Sequence, residues 1–168
     1  MRTTSQSSGK MPKPIPTETA PQDAIALLTQ DHENVKALFE QYEELGDRAH
    51  VSKHKLALQI CQELTKHTMI EEEIFYPAVR QAIKDDDIMD ESLVEHASAK
   101  DLIAQIQSME PGDDLFDAKV KVLSEMIDHH VEEEEGEMFP KVRKTKLDLE
   151  ELGEAMAARK EAIELPPV

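Results

Sequence analysis

Cysteine, basic residues and long apolar runs are all scarce in this chain, and each scarcity removes a class of protein. The one cysteine, Cys61, cannot form an internal disulfide. Its helical context, Leu58-Gln59-Ile60-Cys61-Gln62-Glu63-Leu64, leads us to expect a buried, inert thiol. The 19 Lys and Arg residues stand against 36 Asp and Glu, a formal net charge of −17, and they form no basic stripe. A nucleic-acid backbone or an anionic membrane surface is therefore not an expected partner. No apolar stretch approaches the ~18 residues of a membrane span, and the first 22 residues lack the hydrophobic core of a signal peptide. A cytoplasmic protein is expected. Strand signals are missing as well.

What remains is helical. At 168 residues the chain is long enough for one domain with a sizeable core. Residues 1–21, rich in Ser, Thr and Pro, read as a disordered tail. Residues 22–144 read as a helical bundle, and 145–168 as a C-terminal helical extension. From Asp23 to about Gly46 the positions Leu28, His32, Val35, Phe39 and Tyr42 recur at helical spacing, with Gly46 as the expected stop. A second helix, about 52–84, carries Ala57, Ile60, Leu64, His67, Glu71, Ile74 and Ala78 on one face; Pro77 inside it should bend the helix or restart its last turns. Asp85, Asp86 and Asp87 break the pattern and offer N-caps.

A third helix, about 88–109, aligns Met89, Leu93, His96, Ile103 and Ile106. After Pro111-Gly112-Asp113-Asp114, a turn followed by cap residues, a fourth helix of about 115–144 aligns Phe116, Val120, Leu123, Ile127, His130, Glu134 and Met138. The last segment, about 148–164, presents Leu149, Leu152, Met156 and Ala157 and should pack outside the bundle. Short loops make neighbouring helices antiparallel, so the expected fold is an all-α, up-down-up-down four-helix bundle.

The chain repeats itself. His67-Thr-Met-Ile-Glu71, followed by Phe75-Tyr76-Pro77, returns without a gap as His130-Val-Glu-Glu-Glu134 with Met138-Phe139-Pro140. His32 and His96 precede these motifs by similar spacings, so the bundle is a duplicated helical hairpin. Residues i and i+4 share a helix face; each motif aims an imidazole and a carboxylate at one place. A lone core histidine is more often hydrogen-bonded than metal-bound. Four helices each placing histidine in an apolar stripe, two with an added glutamate, are a different matter, because a buried carboxylate needs a partner and the core offers no lysine or arginine.

A dinuclear metal site built from His32, His67, Glu71, His96, His130 and Glu134 follows. Imidazole and carboxylate without thiolate favour iron, manganese or zinc. The zinc-protease motif His-Glu-x-x-His is absent, and no histidine has a glutamate three residues before it, as ferritin-like di-iron proteins require. Asp31 and Glu95, one residue before His32 and His96, either bond the outer nitrogen of a histidine on another helix or lie on the helix surface. Glu72, Glu73, Glu132, Glu133, Glu135 and Glu137 read as a solvated face, His129 as solvent-facing or supporting, and His50 and His54 as surface residues.

Asp31-His32-Glu33, His67-x3-Glu71-Glu72 with Phe75-Tyr76-Pro77, Glu95-His96, and His130-x3-Glu134-Glu135 with Phe139-Pro140 together resemble the hemerythrin-like, or HHE cation-binding, family over residues 22–144. The resemblance implies a non-haem di-iron centre, two oxo- or hydroxo-bridged irons with Glu71 and Glu134 bridging and the four histidines terminal; manganese and zinc rank below iron. Oxygen-carrying members have two histidines one turn apart on the third helix, whereas Ser92 and Lys100 flank His96 here. Each iron is thereby left with an open position unless Glu72, Glu135 or Tyr76 fills one, an arrangement that suits peroxide, nitric oxide or metal exchange better than simple oxygen carriage. The expected function is binding of, or reaction with, O2, NO or peroxide, with an unidentified electron donor. The alternatives are an iron reservoir, an iron or oxygen sensor, and a metal-free helical interaction module.

Overall fold

The computed structural model describes residues 22–168, and the expected tail, 1–21, lies outside the described residues. Within them the chain forms five helical rods and no strand. We label them α1 (Ala24–Glu44), α2 (50–83), α3 (Asp86–Gln107), α4 (116–143) and α5 (Leu149–Ala162). Rods α1 and α2 pair as one hairpin, α3 and α4 as the other, and the hairpins close into an up-down-up-down four-helix bundle with α5 laid over α1 and α2. None of the described helices is long and apolar enough to cross a membrane.

Three of the five starts are capped by aspartate. Asp23 accepts from the Ala26 N–H at 2.7 Å, Asp85 from Ile88 at 3.4 Å and Asp148 from Glu151 at 3.0 Å, each satisfying a donor the helix cannot. Two local expectations are corrected. Gly46 does not act as a left-handed stop: α1 ends at Leu45, in extended conformation, whose N–H bonds the Tyr42 carbonyl. Nor does an aspartate cap α4; Asp113 turns back to accept from the Glu110 N–H at 2.8 Å, and Leu115 takes the cap position at φ 68° without a side-chain bond.

Rods α2 and α4 are each interrupted by one π-helical turn, Glu71–Phe75 and Glu134–Met138. Pro77 and Pro140 stand at the start of the α-helical stretches that follow, where the missing N–H costs nothing. The wider turn adds a residue and rotates the later face. In α2 the buried positions beyond Glu71 become Phe75, Tyr76 and Val79, whereas the expected Ile74 and Ala78 are only half-buried. In α3, Leu93 is 39% exposed and Ser92 takes the inward slot, returning its hydroxyl to the Ile88 carbonyl at 2.8 Å.

The core has two apolar clusters. One gathers Leu28, Ile70, Phe75, Val79, Met89 and Met138; the other gathers Val35, Leu64, Ala99, Ile103 and Leu123. Along every bundle rod the predicted histidine lies between a residue of the first cluster and one of the second. Phe75, Leu28, Ile70, Val79 and Met138 are wholly buried, each contributing roughly 1.5–3 kcal/mol by transfer from water. A polar layer is thus clamped between two dry ones. Cys61 is fully buried in the second cluster, and burial pushes its thiol up to about 12, as an inert thiol requires.

Within the π turn of α4, Gly136 has nothing near the place of a Cβ and a negative φ, and Glu73 fills the equivalent place in α2. Gly136→Ala is therefore expected to stabilise the protein by about 0.5–1 kcal/mol. Thermal melting checks it, and a lowered Tm would show that the turn needs glycine.

Candidate metal centre

All six predicted residues meet in the polar layer, and each is at least nine-tenths buried: His32, His67, Glu71, His96, His130 and Glu134. They fall into two groups sharing Glu71. In the first, His32 Nε2 lies 3.2 Å from His67 Nε2 and 3.2 Å from Glu134 Oε2, and His67 Nε2 lies 3.1 Å from Glu71 Oε1. In the second, His96 Nε2 lies 3.1 Å from Glu71 Oε2 and 3.2 Å from His130 Nε2, with His130 Nε2 at 3.7 Å from Glu134 Oε2. Donor atoms of each group lie within 4.8 Å of one another.

The outer ring nitrogens decide what the inner ones can do. His32 Nδ1 donates to Glu135 at 2.9 Å, His67 to Asp31 at 3.2 Å, His96 to Glu72 at 3.0 Å and His130 to Glu95 at 2.5 Å. An ionised carboxylate can only accept, so each Nδ1 carries hydrogen and each neutral ring turns a bare Nε2 lone pair inward. Those lone pairs face Glu71 and Glu134, whose Oε1 and Oε2 (Glu71) and Oε2 (Glu134) have no hydrogen-bond partner. Lone pairs opposed at about 3 Å in a dry layer are untenable unless cations or protons lie among them. The donor set therefore fits metal ions.

Without metal, protons must fill that role. Burial pushes His67 down, but the charge of Glu71 and the bonds to Asp31 and Glu71 outweigh it and raise the imidazole to about 10. His130 is likewise opposed by burial and raised to about 9 by Glu95, Glu134 and Glu71. Burial pushes Glu71 up, yet its histidine partners hold it well below the ordinary carboxylate value.

Tyr76 is the residue that breaks the duplication. Its ring stacks on His96 with centroids 5.2 Å apart, as the equivalent Phe139 stacks on His32 at 6.1 Å. Only Tyr76 brings an oxygen: its hydroxyl donates to Glu134 Oε1 at 2.8 Å and lies 3.2 and 3.4 Å from Nε2 of His96 and His130. Of the three residues considered as further ligands, Glu72 and Glu135 turn outward to Nδ1 atoms, and Tyr76 alone reaches the inner layer. Burial, then the charges of Glu134 and Glu71, keep the phenol well above its ordinary value, hence protonated.

Asp31 and Glu95 do bond histidines of other helices. Within the run read as mostly a solvated face, the half-buried Glu72 and the exposed Glu135 also back His96 and His32; both follow a motif histidine by five residues, a duplicated offset. His129 is 63% exposed and sits 3.3 Å from Glu133 and 3.6 Å from Glu95, at the surface. His54 is not free either, since it bonds the Met109 carbonyl at 2.9 Å, whereas His50 is exposed. Lys160 of α5, which donates to Asp31 at 2.6 Å, had no sequence signal at all.

Beside the four histidines lies a cavity of about 170 Å3 walled by Val35, Leu64, Ala99, Met126 and Ile127 and rimmed by the exposed Val94, Ser98 and His129. Several water-sized molecules fit, at ~30 Å3 each.

The profile of the hemerythrin HHE cation-binding domain matches residues 23–142. This chain belongs to the hemerythrin HHE cation-binding family. A solved hemerythrin HHE cation-binding-domain-containing protein from Mycobacterium kansasii superposes with a TM-score of 0.71 at 26% identity, over 84% of this chain and 86% of that one. A DNA nickase of Nostoc sp. strain PCC 7120 is 31% identical over 122 residues, covering 73% of this chain. Those residues amount to 33% of that relative, so the HHE chain spans about a third of its length.

The pKa shifts set the pH response of the metal-free protein. Raised histidines stabilise the fold fully below their ordinary value of 6.5, and this is lost as pH rises through about 9 to 10. The lowered Glu71 stabilises above its ordinary 4.5 and is lost as pH falls. Melting of chelator-treated protein is therefore expected to peak at roughly pH 5–7 and to decline toward pH 10; a Tm still rising between pH 8 and 10 would contradict the assignment.

Proposed function

We propose that this HHE protein holds two iron ions and uses them to bind, or react with, a small uncharged molecule: O2, NO or hydrogen peroxide. The observation that carries the reading is the set of partnerless buried oxygens of Glu71 and Glu134 facing four Nε2 lone pairs. His32 and His67 would hold one ion and His96 and His130 the other, with Glu71 and Glu134 supplying the carboxylates between them. When bound, the iron pair supplies the redox electrons and the open coordination positions.

The protein's own part is separable. Four outer carboxylates fix the imidazole orientations and hold hydrogen on each Nδ1, so that Nε2 is the atom each ring turns toward metal. The cavity's apolar walls disfavour charged solutes while leaving room for a neutral diatomic beside the four histidines. At about 170 Å3 the cavity is below the ~300 Å3 at which ordinary metabolite pockets begin. Tyr76 holds a proton at its hydroxyl, beside Glu134 Oε1, where it can be delivered to a reacting oxygen.

The nickase relative's named activity is not carried over to this domain. Its match covers a third of a longer protein, and the net charge of −17 opposes phosphate binding. An iron reservoir or sensor is the second reading, supported by the site's drawing on all four bundle rods, so that metal cross-links the fold.

The test adds O2, NO or peroxide to anaerobic, reduced, iron-loaded protein and follows the visible spectrum and ligand consumption. A new spectrum with at least one ligand is expected; no change with any of them favours the reservoir. Tyr76→Phe is expected to retain its iron and to slow any proton-requiring turnover by roughly 10²-fold. Unchanged turnover would remove Tyr76 from the chemistry.

A further inference from the structure

The two halves of the site repeat in their inner residues, but α5 touches only one half. Lys160 reaches in from outside the bundle and donates to Asp31 Oδ1 at 2.6 Å, while Asp31 Oδ2 accepts from His67 Nδ1 at 3.2 Å. Asp31 is 7% exposed, and its two oxygens are divided between His67 on the inside and Lys160 on the outside, so Lys160 fixes the carboxylate that orients the His67 ring. One residue away, Arg159 grips Glu73 through two bonds of 2.6 and 3.2 Å, and Glu73 belongs to the π turn that begins at Glu71.

Docking of α5 has its own anchors. Met156 is fully buried in the first apolar cluster, and Gly153 lies so close to the chain before α1 that a Cβ there would meet the Gln22 carbonyl oxygen at 2.3 Å and the Ala24 nitrogen at 2.8 Å. The other half is different. Glu95, which backs His130, faces the exposed His129, and Glu72, which backs His96, pairs with Lys100, a 45% exposed residue of the bundle itself. No contact of Lys160 or Arg159 reaches that half among the described residues.

We propose that α5 is a clasp on the metal centre, with Lys160 as a positioning residue that sets how firmly the His32/His67 position retains its metal. The proposal rests on His67 being a metal ligand. Lys160 touches no inner atom; it acts by fixing Asp31, which fixes the His67 ring. Loss of the outer partner itself, here Asp31, commonly weakens metal binding about 10- to 100-fold, and Lys160, one contact further out, is expected at the lower end of that range. Undocking of α5 would remove both grips at once: the Lys160 grip belongs to the His32/His67 half alone, and the Arg159 grip holds the π turn of Glu71, which both halves share.

The experiment measures anaerobic iron removal by 2,2′-bipyridine from the wild type, Lys160→Met, Lys160→Arg, Gly153→Val and Lys100→Met, with the melting temperature of each metal-free form alongside. In Lys160→Met, half of the iron is expected to leave about 10-fold faster while the other half keeps the wild-type rate. Lys160→Arg should restore retention, and Gly153→Val, which replaces no charged residue, should accelerate the same half at least as much as Lys160→Met. Lys100→Met should leave that half unchanged. Two irons per chain with wild-type kinetics in both Lys160→Met and Gly153→Val would overturn the clasp alone. Equal acceleration of both halves, with a matching fall in the metal-free Tm, would also overturn it by showing general destabilisation. A wild type that binds no iron would overturn the ligand reading and the clasp with it.

Discussion

Two glutamates with nowhere to put their charge govern this structure. Glu71 and Glu134 are 0% and 1% exposed, and three of their four oxygens have no hydrogen-bond partner. A carboxylate moved out of water without compensation is severely penalised. The inward lone pairs of four histidines and the water-excluding apolar clusters above and below deepen that penalty, so only cations, as metal ions or as protons on the imidazoles, can answer it, and the outer carboxylates fix the rings that would share them. The π turns begin at these two glutamates, where the helix is widened most directly beside the charge. π turns commonly mark functional positions in helices.

The duplication explains how so demanding a layer is built from one hairpin used twice. Each hairpin supplies two histidines and one glutamate, so neither half can complete the site alone. Departures from the repeat are where individuality enters. Tyr76 against Phe139 places a hydroxyl beside His96 and His130 only, and Asp31 against Glu95 places a lysine-held carboxylate behind His67 only. The two proposed metal positions consequently have different surroundings despite matching inner residues.

Much of this was legible in the sequence because helical period and duplication are local signals. The five helices, their approximate limits and the convergence of His32, His67, Glu71, His96, His130 and Glu134 can be read from spacing alone. Family membership followed from the same motifs. What spacing hid was anything that altered the period or came from afar. The π turn in α2 moved burial from Ile74 and Ala78 to Phe75, Tyr76 and Val79, and nothing in the composition of Glu71–Phe75 distinguishes a π turn from an α turn. Glu72 and Glu135 were hidden in a charge run, although their offset from the motif histidines was repeated. Lys160, 129 residues from Asp31, meets it only through tertiary packing.

We propose that the orphaned carboxylates of Glu71 and Glu134 hold two irons together with the four histidines. Metal content per chain, measured on anaerobically purified wild type and on Glu71→Gln, tests it most directly. About two irons per chain are predicted for the wild type and fewer than one for the variant, with the fold retained. One zinc or no metal in the wild type, or an undiminished two irons in Glu71→Gln, would contradict it.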